Sequence, residues 1–291
     1  MKLSIIIVNY NVSSYLRQCL QSILNSNILG NFEVIVVDNY SHDDSCLMIK
    51  VEFPNVKLIE NKQNLGFSKA VNIGIKKSVG EYICILNPDT LVSDDTFALL
   101  LKYFEKHQNI GCIGPKILNS DGTLQLACKR SFPNPISAFF KLIGLSRLFP
   151  KNKLFGKYNL TYLDENQIHS VEAISGSFML IPKFIIDKIG IFDESFFMYG
   201  EDLDFCHRIK QIGYKIIYNP VTSIIHYKGE SSKTAPYDMI HLFYKAFHNY
   251  YNKYSITHPS WKVLRYFISI GIFGRKLISY LKFYSTKIIS T

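Results

Sequence analysis

Residues 3–11 read Leu3-Ser4-Ile5-Ile6-Ile7-Val8-Asn9-Tyr10-Asn11, an apolar, β-branched run that stops abruptly in hydrogen-bonding side chains. Such a run, with no polar residue at alternate positions beyond Ser4, reads as a strand covered on both faces, the usual state of a strand in a parallel sheet. Similar short runs return at Glu33 to Val37, Val56 to Glu60 and Tyr82 to Leu86. Between them, Val12 to Ser26 carries Leu16, Leu20, Ile23 and Leu24, and Phe67 to Ser78 carries Ala70, Val71, Ile73, Gly74 and Ile75, spacings that lay one face of a helix on a sheet. This alternation predicts an α/β, Rossmann-like architecture with a mixed, mainly parallel sheet flanked by helices. Further along, strands are expected at Val171 to Ser175, Phe178 to Ile181, Lys215 to Tyr218 and Ser223 to His226, with a helix opening near Glu201.

In open sheets of this kind ligands bind beyond the carboxyl ends of the strands. The residues at those ends are polar: Asn9, Tyr10 and Asn11; Asp38, Asn39, Tyr40 and Ser41; Asn61 and then Asn64-Leu65-Gly66; Asn87-Pro88-Asp89. Asp38 is placed to accept hydrogen bonds from a ribose or a base; it is equally placed to make a local turn or helix cap with Ser41 and Asp43. Asp89, behind a proline that fixes the backbone, is either a turn residue or a hard oxygen ligand for Mg2+ or Mn2+ bridging two phosphates. Glu201, Asp202 and Asp204 crowd a helix N-terminus, where the dipole favours the ionised form. Ordinary helix-end acids look the same, but the preceding Phe196-Phe197-Met198-Tyr199-Gly200 loop suggests a shaped pocket, in which a carboxylate can act as general base. His226 closes an apolar strand, either as a structural hydrogen-bonder or as a metal ligand, and Lys228 follows within reach of a phosphate.

The 291 residues, 47% hydrophobic and 19% charged, suit one catalytic unit with an appendage. There is no G-x-G-x-x-G after the first strand, no Walker loop, no G-x-S-x-G and no H-E-x-x-H, which disfavours dinucleotide oxidoreductases, P-loop enzymes and the common hydrolases. The net charge of +10 is concentrated in residues 231–291, which hold nine Lys or Arg against Asp238 alone, together with fourteen aromatics including Trp261, Phe273 and Tyr284. That mixture predicts an anionic membrane surface rather than nucleic acid as partner. Its longest uncharged apolar run, Tyr266 to Gly274, is far short of the ~20 residues a spanning helix needs. The six cysteines form no C-x-x-C pair, and the N-terminus carries no signal-peptide pattern, so a cytoplasmic protein, peripheral at the inner face of the membrane, is expected. Residues 1–232 are expected to form the catalytic domain, with 133–168 as an irregular insertion of the lid or acceptor-side type, and 233–291 a helical, basic and aromatic extension.

The stretches SIIIVNYN (Ser4 to Asn11), VIVVDNYSHDDS (Val34 to Ser45), NLGFSKAVNIGI (Asn64 to Ile75), ILNPDT (Ile85 to Thr90), SGSFMLIP (Ser175 to Pro182), FDESFFMYGEDLDFCHR (Phe192 to Arg208) and IIHYKGESS (Ile224 to Ser232) are collinear. In that order they resemble the family 2 glycosyltransferases of GT-A fold, in particular the bacterial rhamnosyltransferase-like branch that builds surface polysaccharides. The resemblance implies an inverting transfer of one sugar from a nucleoside-diphosphate sugar, dTDP-rhamnose or a UDP-sugar, to a glycan or lipid-linked acceptor. It implies Asp202 as catalytic base with Glu201 beside it, Asp89 as the carboxylate that holds Mg2+ or Mn2+, and His226 assisting the metal or the diphosphate. Asn9, Tyr10, Asp38, Asn64, Gly66, Lys69, Asn87 and Lys228 are expected on the donor. Two departures stand out: the motif reads N-P-D where the family carries D-x-D, so Asn87 replaces the first acid, and the Q-x-x-R-W motif of processive synthases is absent, which fits addition of a single sugar. A nucleotidyltransferase would carry a Gly-rich basic loop where Asn9 to Val12 stands; a non-catalytic sugar-binding descendant is the other alternative.

Overall fold

The Leu3–Asn9 run forms β1, and Ile5, Ile6 and Ile7 are fully buried, as a strand covered on both faces requires. In this computed structural model the described residues are 2–134, 136, 137, 140, 143–227, 229, 236–254, 273 and 274, with backbone alone for 236–240. Lys228 and most of the basic tail expected to meet a membrane therefore lie outside the described residues.

Strands β2 (Phe32–Asp38), β3 (Lys57–Glu60) and β4 (Tyr82–Leu86) run parallel to β1 in the order β3-β2-β1-β4. Asn9 and Asp38 are register partners, so the polar ends of the first two strands stand side by side. Helix α1 (Ser13–Leu24) buries Leu16, Cys19, Leu20 and Ile23, the i, i+3, i+4, i+7 face of an amphipathic helix. Helix α2 (Ser45–Glu52) follows β2, and α3 (Phe67–Lys77) follows β3. Ile35 and Val37 pack with Ala70 and Ile73 of α3, while Val34 and Val36 turn into the main core, the alternation of a strand with helices on both sides. Helix α3 lies close on β1: a Cβ at Gly74 would stand 2.5 Å from Ile6 Cγ2.

The second half of the chain extends the same sheet. Strands β5 (Thr90–Val92), β6 (Ile110–Leu118), β7 (His169–Val171), β8 (Phe178–Pro182) and β9 (Lys215–His226) continue the order as β4-β8-β6-β9-β5, with β7 paired to β9. Here β8 is antiparallel to β4 and β6, while β9 runs parallel to β6 and antiparallel to β5. Helices α4 (Thr96–Lys106), α5 (Lys183–Ile189), α6 (Glu201–Gln211) and α7 (Pro236–Tyr254) are the longer helices of this half among the described residues.

Two expected boundaries shift. The strands expected at Lys215 to Tyr218 and Ser223 to His226 are one strand, whose pairing with β6 skips from Asn219 to Ser223 around Pro220, a residue with no N–H for the ladder. The strand expected at Val171 to Ser175 ends at Val171, because Glu172 and Ala173 turn their N–H groups to the carbonyl of Arg130 instead.

The described part of the 143–168 segment is turns with one helical turn at Leu145–Leu148. It is tied down by the buried Lys129, whose ammonium donates to Leu160 O at 2.8 Å, and by Ser131 N–H donating to Tyr158 O. Helix α7 packs on the body through buried Ala246, Tyr250 and Tyr251. Its Lys253 reaches Asp193 and Asp204 at 2.6 Å each, and Tyr254 OH donates to Asp204 Oδ1. No helix among the described residues is long and apolar enough to cross a membrane.

Candidate active site

The carboxyl edge of β1 and β2 is held by a hydrogen-bond network. Asp38 Oδ1 accepts from Asn9 Nδ2 at 2.8 Å and from Ser41 Oγ at 2.6 Å, and Oδ2 accepts Ser41 N–H. The local Asx-type turn is thus present, and it aims a buried carboxylate along the sheet edge. Asp43 accepts Ser13 N–H with one oxygen and Ser45 N–H and Oγ with the other, satisfying donors at the first turns of α1 and α2. Asn39 organises the next strand end: its amide donates to Asn64 Oδ1 and Gly66 O and its oxygen accepts Leu65 N–H. Gly66, at φ +80°, lies against the 196–200 loop so closely that a Cβ would stand 2.5 Å from Phe197 O, while Phe67 N–H donates to that same carbonyl. Gly66 therefore joins the expected donor edge to the loop before α6. Tyr10 is half-buried beside Asn9; Asn64 and Lys69 are exposed on the same edge.

Pairing of β5 with β9 sets Thr90 opposite His226, which brings Asn87 and Asp89 to the imidazole across 139 residues of sequence. Asp89 Oδ1 lies 3.2 Å from His226 Nε2, and Asn87 Nδ2 lies 3.3 Å from the same nitrogen. His226 Nδ1 is 2.8 Å from Gln125 Oε1, an acceptor, so Nδ1–H donates there, while Nε2 faces the Asn87 amide donor. Asp89 Oδ1 is buried and accepts no hydrogen bond. A buried carboxylate oxygen with no hydrogen-bond donor, 3.2 Å from an imidazole nitrogen, leaves an unmet electrostatic demand, which a cation satisfies. One carboxylate oxygen and one imidazole nitrogen fit a divalent ion with open positions for phosphate oxygens. Among the described residues no third acid, His or Cys completes a closed cage.

The acids at the start of α6 are all buried, and they divide by partner. Asp204 is fully enclosed by Lys253, Tyr254 and Arg208, whose Nε donates to Asp204 Oδ2 at 2.9 Å; it ties α6 to α7. Asp202 Oδ2 accepts from Arg130 Nη2 at 2.5 Å and from Gly176 N–H at 3.1 Å, and Oδ1 accepts Leu203 N–H. Arg130 also donates to Ile174 O, and the ion pair holds the guanidinium protonated against its own burial. Glu201 has the opposite environment: burial, then the neighbouring Asp202 charge, push its carboxyl up to about 8, and its Oε2 has no partner. Glu201 is thus held protonated at neutral pH beside Asp202. The Ser175–Gly176–Ser177 turn joins the two halves of the site, since Gly176 N–H donates to Asp202 while Ser177 O accepts Asn87 N–H.

The residues singled out in the sequence thus gather on one side of the sheet: Asn9 with Asp38, Asn64 with Gly66, Asn87 with Asp89 and His226, and Glu201 with Asp202. Two residues were not foreseen. Arg130 and Gln125 both lie in the stretch after β6, where no period marks burial; the one signal is a Lys129-Arg130 pair that the structure buries almost completely.

A profile of the family described as Glycosyl transferase family 2 matches residues 4–188. The chain is 27% identical over 245 residues to N-acetylglucosaminyl-diphospho-decaprenol L-rhamnosyltransferase of Mycobacterium tuberculosis, covering 80% of this chain and 78% of that protein. It is 32% identical over 230 residues to the low-salt glycan biosynthesis hexosyltransferase Agl10 of Haloferax volcanii, covering 77% of this chain and 66% of that one. In fold it resembles the mannosyltransferase PcManGT from Pyrobaculum calidifontis, solved in complex with GDP-Man and Mn2+, with a TM-score of 0.59 at 16% identity over 87% of this chain and 63% of that one. With the mixed sheet and the carboxyl-edge site in place, the match over residues 4–188 makes this chain a member of glycosyl transferase family 2, a rhamnosyltransferase-like glycosyltransferase of GT-A fold.

Proposed function

We propose that the chain moves one sugar, with inversion, from a nucleoside-diphosphate sugar to a hydroxyl of a lipid-linked glycan in surface polysaccharide synthesis. The observation that carries this reading is the buried meeting of Asp89 Oδ1 and His226 Nε2, joined to Asp202 through the Ser175–Gly176–Ser177 turn. Asp38, with Asn9 and Ser41 holding its carboxylate, accepts hydrogen bonds from the nucleoside; Asn64, Gly66, Tyr10, Lys69 and Asn87 border the donor. Asp89 and His226 would hold Mg2+ or Mn2+, which would supply positive charge beside the diphosphate.

Asp202 takes the proton from the acceptor hydroxyl. As that oxygen bonds to the anomeric carbon, the bond from the anomeric carbon to the diphosphate oxygen breaks, and the electron pair leaves with the nucleoside diphosphate. Asp202 keeps a lone pair on Oδ1 beyond its bond from Leu203 N–H, so the Arg130 pair orients the base without saturating it. Glu201, protonated at neutral pH, serves as a hydrogen-bond donor to the bound sugars. The M. tuberculosis relative's decaprenol-linked acceptor and the rhamnosyl group in its name support a lipid-linked acceptor and dTDP-rhamnose; a UDP-sugar is the other donor to try. The aromatic, basic composition of residues 231–291 supports docking at an anionic membrane surface.

Turnover of a donor panel by Asp202→Asn and Glu201→Gln tests the roles. Asp202→Asn is expected to lose nearly all turnover while still binding donor, and Glu201→Gln, which copies a protonated acid, to keep most of it. The reverse pattern would make Glu201 the base.

A further inference from the structure

We infer that the turn at residues 119–125 is a hydrogen-bond relay that fixes which nitrogen of His226 carries its proton, making Gln125 a positioning residue for the nitrogen that faces Asp89. The direction of every link follows from one end. The Asp121 carboxylate only accepts, so the Thr123 hydroxyl must donate to it, at 2.6 Å, and its oxygen is left to accept. Asn119 Nδ2 fills that role at 2.9 Å, which turns Asn119 Oδ1 toward Gln125. Gln125 Nε2 donates to it at 3.1 Å, and this leaves Gln125 Oε1 facing His226 Nδ1 at 2.8 Å. No amide along the chain can flip without setting donor against donor or acceptor against acceptor.

The backbone holds the relay in register. Asn119 N–H donates to Thr123 O, Gly122 N–H to Asn119 O and Gln125 N–H to Ile117 O, and Gly122 takes the positive φ the reversal needs. Thr123 N–H and Oγ both donate to Asp121, which pulls that carboxyl below its ordinary value and keeps the end of the chain anionic.

The alternative state shows what the relay prevents. A flipped Gln125 amide would point N–H at Nδ1 and move the ring proton to Nε2, where it would stand against the Asn87 amide 3.3 Å away. With a proton in place of its lone pair, Nε2 could not ligate a cation beside Asp89. Outer partners of metal-ligating histidines commonly fix the tautomer in this way. The consequence for affinity rests on the metal reading of Asp89 and His226; the tautomer does not.

The test uses the full chain labelled with 15N in histidine, His226 being assigned by its absence in His226→Gln. In the metal-free protein Nδ1 is expected protonated and Nε2 unprotonated. Gln125→Met, similar in volume but with no acceptor, should lose that pattern and bind Mn2+, followed by electron paramagnetic resonance without donor, about 10–100-fold more weakly. Gln125→Glu, which restores an acceptor, should recover both. Thr123→Val breaks the chain at an exposed residue remote from the ring and is expected to shift the tautomer the same way, so the relay stays testable should Gln125→Met fail to fold. A wild-type His226 protonated at Nε2, or a spectrum that neither Gln125→Met nor Thr123→Val changes, overturns the relay. Loss of the pattern in Gln125→Met with no Mn2+ binding by any form supports the relay and removes the metal reading instead.

Discussion

Replacing Arg130 by Met removes one partner of an ion pair in which Arg130 and Asp202 are each only 9% exposed. Taking one member from a buried pair leaves an uncompensated charge and costs about 3–5 kcal/mol. Asp202 keeps two donors, the N–H groups of Gly176 and Leu203, so the lower half of that range is expected. The variant also strands the Ile174 carbonyl that Arg130 serves at 2.7 Å, which adds to the loss. For a chain of this size each kcal/mol lowers Tm by about 2 °C, so a fall of roughly 6–10 °C follows. Urea unfolding at neutral pH measures it as a drop in midpoint at constant slope. Asp202→Leu in the Arg130→Met background removes the stranded charge as well and should recover about half or more of the loss, a coupling expected for residues in direct contact. A single-variant cost under about 1 kcal/mol, the size of an exposed pair, would refute the buried pairing and with it the orientation of Asp202.

Three further outcomes follow from the same geometry. Glu201 binds a proton in the folded chain up to about pH 8 that the unfolded chain releases above about 4.5, so wild-type stability falls as pH rises across that window; Glu201→Gln should gain on the wild type between those limits in unfolding midpoints, and a gap independent of pH would contradict the buried, protonated acid. Gly66→Ala adds a Cβ 2.5 Å from Phe197 O at a positive φ and should cost about 2–4 kcal/mol by thermal unfolding; a change under about 0.5 kcal/mol would contradict the close approach of the two loops. Lys253→Met takes the ammonium from Asp193 and from the fully buried Asp204, costing about 1–3 kcal/mol and exposing α7 to faster limited proteolysis; unchanged cleavage would mean that other contacts hold the helix.

The parallel half of the sheet is legible because β1, β2 and β4 are buried on both faces and, Ser4 and Glu33 apart, apolar between their ends, a signal that needs no partner to interpret. Strand β6 is hidden because Gly111, Gly114 and Pro115 break its apolar run. The glycines stand there because a Cβ at Gly111 would meet Ile209 at 2.4 Å and one at Gly114 would meet Ile174 at 3.0 Å, contacts set by elements far along the chain. Helix α4 is written in the sequence at Phe97, Leu100, Leu101 and Phe104, an i, i+3, i+4, i+7 face that the strand-end reading passes over. Asp38 and Asp89 stand out because strand ends concentrate polar groups, whereas Arg130 and Gln125 acquire their partners only when an irregular segment folds back on β9 and α6. The motif around Glu201 shows three acids alike; only packing separates Asp204, which holds α7, from Asp202 and Glu201, which face Gly176.

The most direct test of the account is thermal-shift binding of UDP-, GDP- and dTDP-sugars to the full chain with Mn2+, with Mg2+ and with EDTA. One nucleotide class is expected to stabilise the protein only with metal, by about 2.7 kcal/mol when the ligand stands at a hundred times its Kd. The shift should vanish in EDTA and in Asp89→Ala. Stabilisation that persists in EDTA and in Asp89→Ala would contradict a metal-held diphosphate at Asp89 and His226, and no shift with any donor would contradict the donor site itself.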